Sequence, residues 1–494
     1  MFVHEIVKRG KADSIAIVDH GRRISYRELT EAIHICRDRM YAIGVRLGDR
    51  VGLFSRNRAE YVFIQLAAAS LGAIAVPINF QLSRREIAYI VKDSGIRHLF
   101  TDKEIDLADS LHTLNCTTEI IYHRIDEWPG EDTGLPEAPF LPMDFTEDDP
   151  CIIIYTSGTT GSPKGAVLSH KNLVSNVEQL HWMYCRPEHI VLCVLPMYHC
   201  FGWTCSVLYP LYSGASMVIL DSFTPKETIE TIRTEKVTDM YVVPSICSLL
   251  TKLATAEDMA TLRLVVSGGT TLPLKVENEF ITKFGVSICE CYGLSEASPI
   301  VTINPVGKEK IGSIGPIVPQ IEWRLIDNAG RDVPQGESGE LIVKGPNVML
   351  GYWNLPEATA DALKNGWLYT GDIARADEDG YIFISGRIKD MIISMGENIY
   401  PREVEEIIYQ FPGIKEAAVV GVEDKLRGQA GACFYSVHEG AEINLSQLKK
   451  FLQQNLALYK IPREFHLVQA LPRTSTGKIA KRLILEQLEN DRED

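Results

Sequence analysis

Short β-branched runs alternate with stretches of helical periodicity up to about residue 310, and this alternation restricts the fold more than any other feature. The runs fall at 51–54, 73–78, 152–155, 191–195, 217–220, 240–243 and 264–267, with amphipathic segments such as 58–71 and 225–236 between them. Strands of this kind, separated by helices, predict α/β layers with largely parallel sheets. From about residue 311 the texture changes. Strand-like segments at 322–327, 339–344 and 381–384 are joined by turns such as Asp327-Asn-Ala-Gly330 and Pro334-Gln-Gly336, which predicts a smaller antiparallel, barrel-like β subdomain. After Lys389 comes an α+β pattern with helices at 402–410 and 445–456 and strands at 417–422 and 431–437. At 494 residues the chain is too long for one ordinary core. The expected division is a large N-terminal domain over 1–388, α/β to about 310 and β over 311–388, with a C-terminal domain over 389–494.

Charge and cysteine usage remove several classes of function. Against 50 Lys and Arg stand 65 Asp and Glu, a formal charge of −15, so a nucleic-acid partner is not expected. Eleven cysteines in a chain of this size fit a reducing compartment better than a disulfide framework. Cys289 and Cys291 form C-x-C, without the C-x-x-C pairs of a zinc site. The opening residues lack an apolar run long enough for a signal peptide. Two uncharged stretches, 61–83 and 200–220, are interrupted by Gly72 and Pro77, and by Gly202, Pro210 and Gly214, and read as core elements rather than spanning helices. A soluble cytoplasmic protein is expected. Peripheral contact with a membrane and assembly as a homodimer stay open.

The strongest local signal for chemistry is Tyr155-Thr-Ser-Gly-Thr-Thr-Gly-Ser-Pro-Lys-Gly165, which follows an apolar strand. Its glycines let backbone N–H groups approach phosphate oxygens, and its hydroxyls and Lys164 add matching donors. A polar surface loop is the ordinary alternative. Pro163 stands where a Walker A loop needs glycine before its lysine. The Gly-Lys pairs ending at Lys11, Lys308 and Lys478 lack a following Ser or Thr, so an ordinary P-loop nucleotidase is disfavoured.

Other short motifs follow in order: Pro196-Met-Tyr-His199, Ser267-Gly-Gly269, Tyr292-Gly-Leu-Ser-Glu296, Gly351-Tyr-Trp353, Tyr369-Thr-Gly-Asp372, Gly386-Arg-Ile-Lys-Asp390, Gly396-Glu-Asn-Ile-Tyr-Pro401 and Pro472-Arg-Thr-Ser-Thr-Gly-Lys478. Each alone is weak. Together with the glycine-rich loop, and with Ile24-Ser-Tyr-Arg-Glu-Leu29 near the start, the series resembles the adenylate-forming superfamily along essentially the whole chain, most closely its acyl-CoA synthetase branch. The resemblance implies ATP, Mg²⁺ and coenzyme A as reactants or cofactors, and a mobile C-terminal lid hinged at Lys389.

Residue by residue, the resemblance puts Thr156, Ser157, Gly158, Thr159, Thr160, Gly161 and Lys164 on the ATP phosphates. Gly269, Thr270, Thr271, Glu290, Cys291, Tyr292 and Gly293 would surround adenine, with Tyr292 stacking on it. Glu296 would ligate Mg²⁺, a hard cation that takes oxygen ligands; a lone loop carboxylate would otherwise be solvated. Ser295 replaces the family's threonine and keeps the hydroxyl. Asp372 would accept hydrogen bonds from the ribose diol, where a turn-capping role is the ordinary alternative. Arg387 would contact ribose or phosphate, against a plain surface ion pair. Lys478 would offset the charge that builds when a carboxylate attacks the α-phosphate; without the resemblance it would be a solvated turn lysine. Gly396 and Glu397 would flank the pantetheine thiol once the lid has turned.

The acid itself would meet His199, Phe201, Gly202, Cys205, Gly268, Gly293, Pro299 and Ile300, none of them acidic. An aspartate that would hold an α-amino group is missing near His199, so amino acids are disfavoured. The small residues Gly202, Gly268 and Gly293 are expected to leave a channel for an alkyl chain, unless the Trp203 indole caps it. Fatty acids lead, with aryl and arylpropenoate acids second. Rival readings are an acyl-AMP ligase that loads an acyl carrier protein and a binding protein that has lost catalysis. The latter fits poorly with Glu296, Asp372, Arg387 and Lys478 all being kept.

Overall fold

The computed structural model describes residues 1–130, 134–156, 163–181, 185–395, 397–424, 426–473 and 479–493. They form two units, one of Met1–Glu322 with Lys344–Leu368, the other of Trp323–Val343 with Tyr369–Asp494. The segment Lys344–Leu368 thus belongs with the α/β layers, whereas the turn-rich strands around it group with the C-terminal residues.

Two sheets build the first unit. One runs in the order Ile300–Ile303, Ile288–Gly293, Leu264–Ser267, Asp239–Val242, Ile190–Cys193, Ser216–Ile219, Ile15–Asp19, Arg22–Ser25. Its inner neighbours are parallel and its two edge pairs antiparallel. The other runs Gly351–Tyr352, Lys164–Ser169, Pro150–Thr156, Ile74–Pro77, Arg50–Phe54, His98–Thr101, Ile121–Arg124. Strands covered on both faces have no wet side to mark with polar residues, which is why Leu264–Ser267 and Ile74–Pro77 are buried throughout and read as unbroken apolar runs. The helix Ala59–Ser70, expected to be amphipathic, is instead buried along its whole length, its mostly apolar residues packed on every side. Its one carboxylate, Glu60, is held by Arg22 at 2.6 Å and Arg58 at 2.9 Å. Both uncharged stretches singled out in the sequence are core elements. Among the described residues, no helix is long and apolar enough to cross a membrane.

In the second unit, the strands Glu322–Ile326, Gly339–Lys344 and Trp367–Ala376 lie side by side, and Ile382–Arg387 pairs antiparallel with the last. A further sheet runs Glu397–Ile399, Ile392–Ser394, Gly428–Val437, Ile414–Asp424, with Glu464–Leu467 parallel to Gly428–Val437. Period-two alternation sorts Ile414–Asp424 between two cores. Ala417 and Val419 face Val404, Ile408 and Leu452, while Ala418, Val420 and Val422 face Leu471, Ile484 and Leu488.

Candidate active site

In the first unit, the strands Pro150–Thr156 and Lys164–Ser169 pair in register, Thr156 opposite Lys164 and Tyr155 opposite Gly165. They bring Thr156 and Lys164 together at the mouth of the glycine-rich loop. Ser157, Gly158, Thr159, Thr160 and Gly161 lie outside the described residues. Tyr155 Oη donates to Asp93 Oδ2 at 2.5 Å. Gly165 is required where it stands, because a Cβ there would sit 2.6 Å from Ile153 Cγ2 and 3.1 Å from Tyr155 Cζ.

The carboxyl ends of the parallel strands Ile190–Cys193, Leu264–Ser267 and Ile288–Gly293 open on one edge of their sheet, where α/β folds bind ligands. From them emerge His199, the Gly269–Thr271 segment, Tyr292 and the single 3₁₀ turn Ser295–Ala297 that carries Glu296. His199 is half-buried, and its Nδ1 accepts the backbone N–H of Phe201 at 3.2 Å. In the neutral ring the proton then sits on Nε2, which becomes a donor. Gly269 takes φ +84°, and Gly269 and Thr270 are exposed. Glu290 is buried beneath them, its Oε1 accepting Leu272 N at 3.2 Å, and so supports the segment from below. Cys291 is buried as well, with burial pushing its thiol far above the ordinary value. Glu296 is half-buried and accepts the Tyr352 hydroxyl at 2.8 Å.

The three glycines expected to open an acyl channel do not open one. A Cβ on Gly202 would lie 2.3 Å from Pro196 O, one on Gly268 2.6 Å from Cys291 Sγ, and one on Gly293 2.0 Å from Pro299 O. Gly202 and Gly293 mark a close approach of backbone to backbone, and Gly268 packs against the side chains of Cys291 and Phe201. Trp203 is 1% exposed and packs 6.3 Å from the Tyr61 ring on the core helix Ala59–Ser70. It belongs to the π-helical segment Gly202–Leu208. Phe201, Cys205, Pro299 and Ile300 are all buried, and none carries a charge.

In the second unit, Asp372 and Arg387 face each other across the hairpin, with Arg387 Nε 3.0 Å from Asp372 Oδ1. Asp372 is 4% exposed, and the preceding Gly371 has φ +70°. Lys389 lies in the turn Ile388–Asp390, where burial and then the nearby Arg387 charge lower its ammonium pKa. Glu397 is exposed at the start of its short strand. Gly396 and Lys478 lie outside the described residues. An antiparallel bridge joins Arg473 and Ile479.

Sequence reasoning missed the buried amides that hold the sheet edge. Asn57 Nδ2 donates to Leu195 O at 2.9 Å and to Leu220 O at 3.0 Å, while its Oδ1 accepts Met197 N at 2.8 Å. Asn176 exchanges hydrogen bonds with the backbone of Ile300, and Asn347 Nδ2 donates to Ala297 O at 2.7 Å. It also missed Cys185 and His189, gathered in the core with the sequence-distant Asp239, His189 Nδ1 lying 2.8 Å from Asp239 Oδ2. A lone polar residue in an apolar run carries no local sign of its partner.

Comparison with known proteins bears on this arrangement as a whole. Residues 4–353 match the family model of the AMP-binding enzymes, and residues 403–478 match the AMP-binding enzyme C-terminal domain. The chain is 35% identical over 474 residues to a feruloyl-CoA synthase from Amycolatopsis sp, covering 94% of each. To a long-chain-fatty-acid–CoA ligase from Bacillus subtilis it is 33% identical over 515 residues, 96% of this chain and 92% of that one. Among solved structures, ATP-bound MatB from Rhodopseudomonas palustris superposes with a TM-score of 0.91 at 30% identity, covering 99% of both chains. With both family models matched along one chain and relatives that are CoA ligases over nearly their full length, this protein belongs to the AMP-binding enzymes of the adenylate-forming superfamily and is an AMP-forming acid–thiol ligase that works with ATP, Mg²⁺ and coenzyme A.

Proposed function

We propose that the chain activates fatty acids, first as acyl-adenylates and then as coenzyme A thioesters. The observation that carries the reading is the sheet edge that bears His199, Tyr292 and Glu296, together with the buried, uncharged Phe201, Cys205, Pro299 and Ile300. Apolar residues suit an alkyl tail, and the His199 Nε2–H suits a carboxylate. Trp203 packs on Tyr61, which favours a deeper channel over a capped one.

In this reading Thr156, Lys164 and the loop Ser157–Gly161 hold the ATP phosphates. Tyr292 stacks on adenine beside Gly269–Thr271, and Asp372 accepts from the ribose with Arg387 beside it. Glu296 fits a Mg²⁺ ion: it is a hard oxygen ligand, half-exposed, and its partner is a neutral phenol rather than a resident cation. When bound, Mg²⁺ neutralises charge on the phosphates. Lys478 offsets the charge that develops as the carboxylate attacks. Residues 389–494 then turn about Lys389, so that Gly396 and Glu397 meet the thiol in a second half-reaction. We place the enzyme in the cytoplasm.

A second reading, an aryl or arylpropenoate acid, is favoured by the 35% identity to the feruloyl-CoA synthase. Pyrophosphate release with MgATP, across acids from acetate through long alkyl chains to benzoate and cinnamate, separates the two. Turnover peaking on alkyl acids with acyl-CoA as product supports the first reading; a peak on cinnamates replaces it with the second. A burst of acyl-AMP that coenzyme A does not discharge points to a carrier protein as acceptor. Lys478→Ala should lower adenylation by about a thousandfold, while thioester formation from supplied acyl-AMP survives. Equal loss of both half-reactions would remove Lys478 from its role.

A further inference from the structure

Tyr352 has no part in the reading above, yet its side chain touches two groups on which that reading relies. Its Oη–H donates to Glu296 Oε1 at 2.8 Å, and Lys164 Nζ lies 5.2 Å from the centroid of its ring. The backbone around it is fixed from several sides. Tyr352 pairs with Ala166 through the strand Gly351–Tyr352, and its N–H donates to Thr359 Oγ1 at 2.8 Å. Trp353 N donates to Gly165 O at 2.7 Å, and Met349 N to Glu296 O at 2.8 Å. Trp353 Nε1 donates to Asp93 O, the residue whose carboxylate receives Tyr155 Oη. The ring is thus set in a frame that joins both strands flanking the glycine-rich loop to the turn that carries Glu296.

An ammonium and a carboxylate left side by side close into an ion pair, and each then has less charge to offer a ligand. A phenol between them attracts both without joining them. The ring face draws the ammonium, and the hydroxyl makes a charge-assisted hydrogen bond to the carboxylate. Lys164 and Glu296 form no ion pair among the described residues.

We propose that Tyr352 is a positioning residue that holds Glu296 toward a divalent cation and Lys164 toward the polyphosphate while keeping the two apart. The proposal rests on the metal role assigned to Glu296. Its test is binding, not turnover: electron paramagnetic resonance of Mn²⁺ titrated into the enzyme with α,β-methylene-ATP, alongside thermal melting. Tyr352→Phe keeps the ring and removes the donor, so Mn²⁺ affinity should fall about tenfold with the melting temperature unchanged. Glu296→Gln should weaken Mn²⁺ further, and the double variant should be no weaker than Glu296→Gln alone. If Glu296→Gln binds Mn²⁺ as the native enzyme does, the metal role itself fails. If Glu296→Gln is impaired and Tyr352→Phe is not, Tyr352 loses its role. A lower melting temperature in Tyr352→Phe, or additive losses in the double variant, would equally overturn the proposal by marking the residue as a structural prop.

Discussion

The carboxyl edge of the eight-stranded sheet and the hairpin of the second unit hold their carboxylates by opposite means. Glu296 is half-buried and gripped by neutral donors: one phenol, and a surrounding backbone tied down through Asn347 and Met349. Asp372 is buried and faced by a guanidinium one strand away. A carboxylate meant for a divalent cation is best left without a resident cation, because an ion pair competes with the metal. A carboxylate meant for two hydroxyl donors gains from a fixed positive neighbour that holds it in place. The difference in partner thus matches the difference in ligand that the proposed function assigns to the two carboxylates.

This contrast is broken most easily by exchanging the two selectivities. Asp372→Asn should lower kcat/KM for ATP by about a hundredfold and erase discrimination against 2′- and 3′-deoxyATP, while leaving the Mg²⁺ activation curve in place. Glu296→Gln should do the reverse. A native preference for ribose surviving in Asp372→Asn would sink the assignment. Next in size is the framework behind the sheet edge. Asn57→Ala strands two carbonyls and one N–H in the core, and should cost on the order of 3 kcal/mol. Because those bonds are uncharged, the loss should be the same at low and high salt in denaturant melts. A salt-dependent loss would mean that the edge is held by charge after all.

The smallest effect sharpens the comparison with a third carboxylate, one that neither a phenol nor a guanidinium holds. Glu277 is 3% exposed, and burial, with the nearby Glu309 charge, pushes its pKa up to about 7. The folded state therefore binds the proton more tightly than the unfolded chain, and stability falls as pH rises from the ordinary carboxyl range through about 7. Glu277→Gln should be more stable than the native protein at pH 8, by about 2 kcal/mol, with the gap closing near pH 5. Parallel melting curves at both pH values would show that Glu277 is not buried in its charged form.

Layers and chemistry were legible in the sequence for different reasons. Strands such as Leu264–Ser267 announce themselves because parallel sheets bury both faces, whereas 58–71, read as amphipathic, forms a helix Ala59–Ser70 that is buried on every side. The motif series carried the enzyme class, since nucleotide chemistry needs fixed residue types at fixed places. The acyl pocket was misread at Gly202, Gly268 and Gly293, where a missing side chain serves open space and tight packing equally well. Only the backbone that crosses each glycine decides between them. Tyr352, though inside a quoted motif, was given no role and Asn57 was passed over, because their partners lie 56 and 138 or more residues away, and nothing local records a contact of that range.

Ten of the eleven cysteines are buried, and Cys116 is half-exposed. Burial raises Cys200 to about 12 and carries Cys205 and Cys291 well above the ordinary thiol range. An acyl-adenylate is a mixed anhydride, and any thiolate within reach would take its acyl group. Keeping these thiols protonated protects the enzyme from acylating itself. Core filling of this kind leaves the buried thiols poor competitors with the incoming thiol for a reactive acyl group.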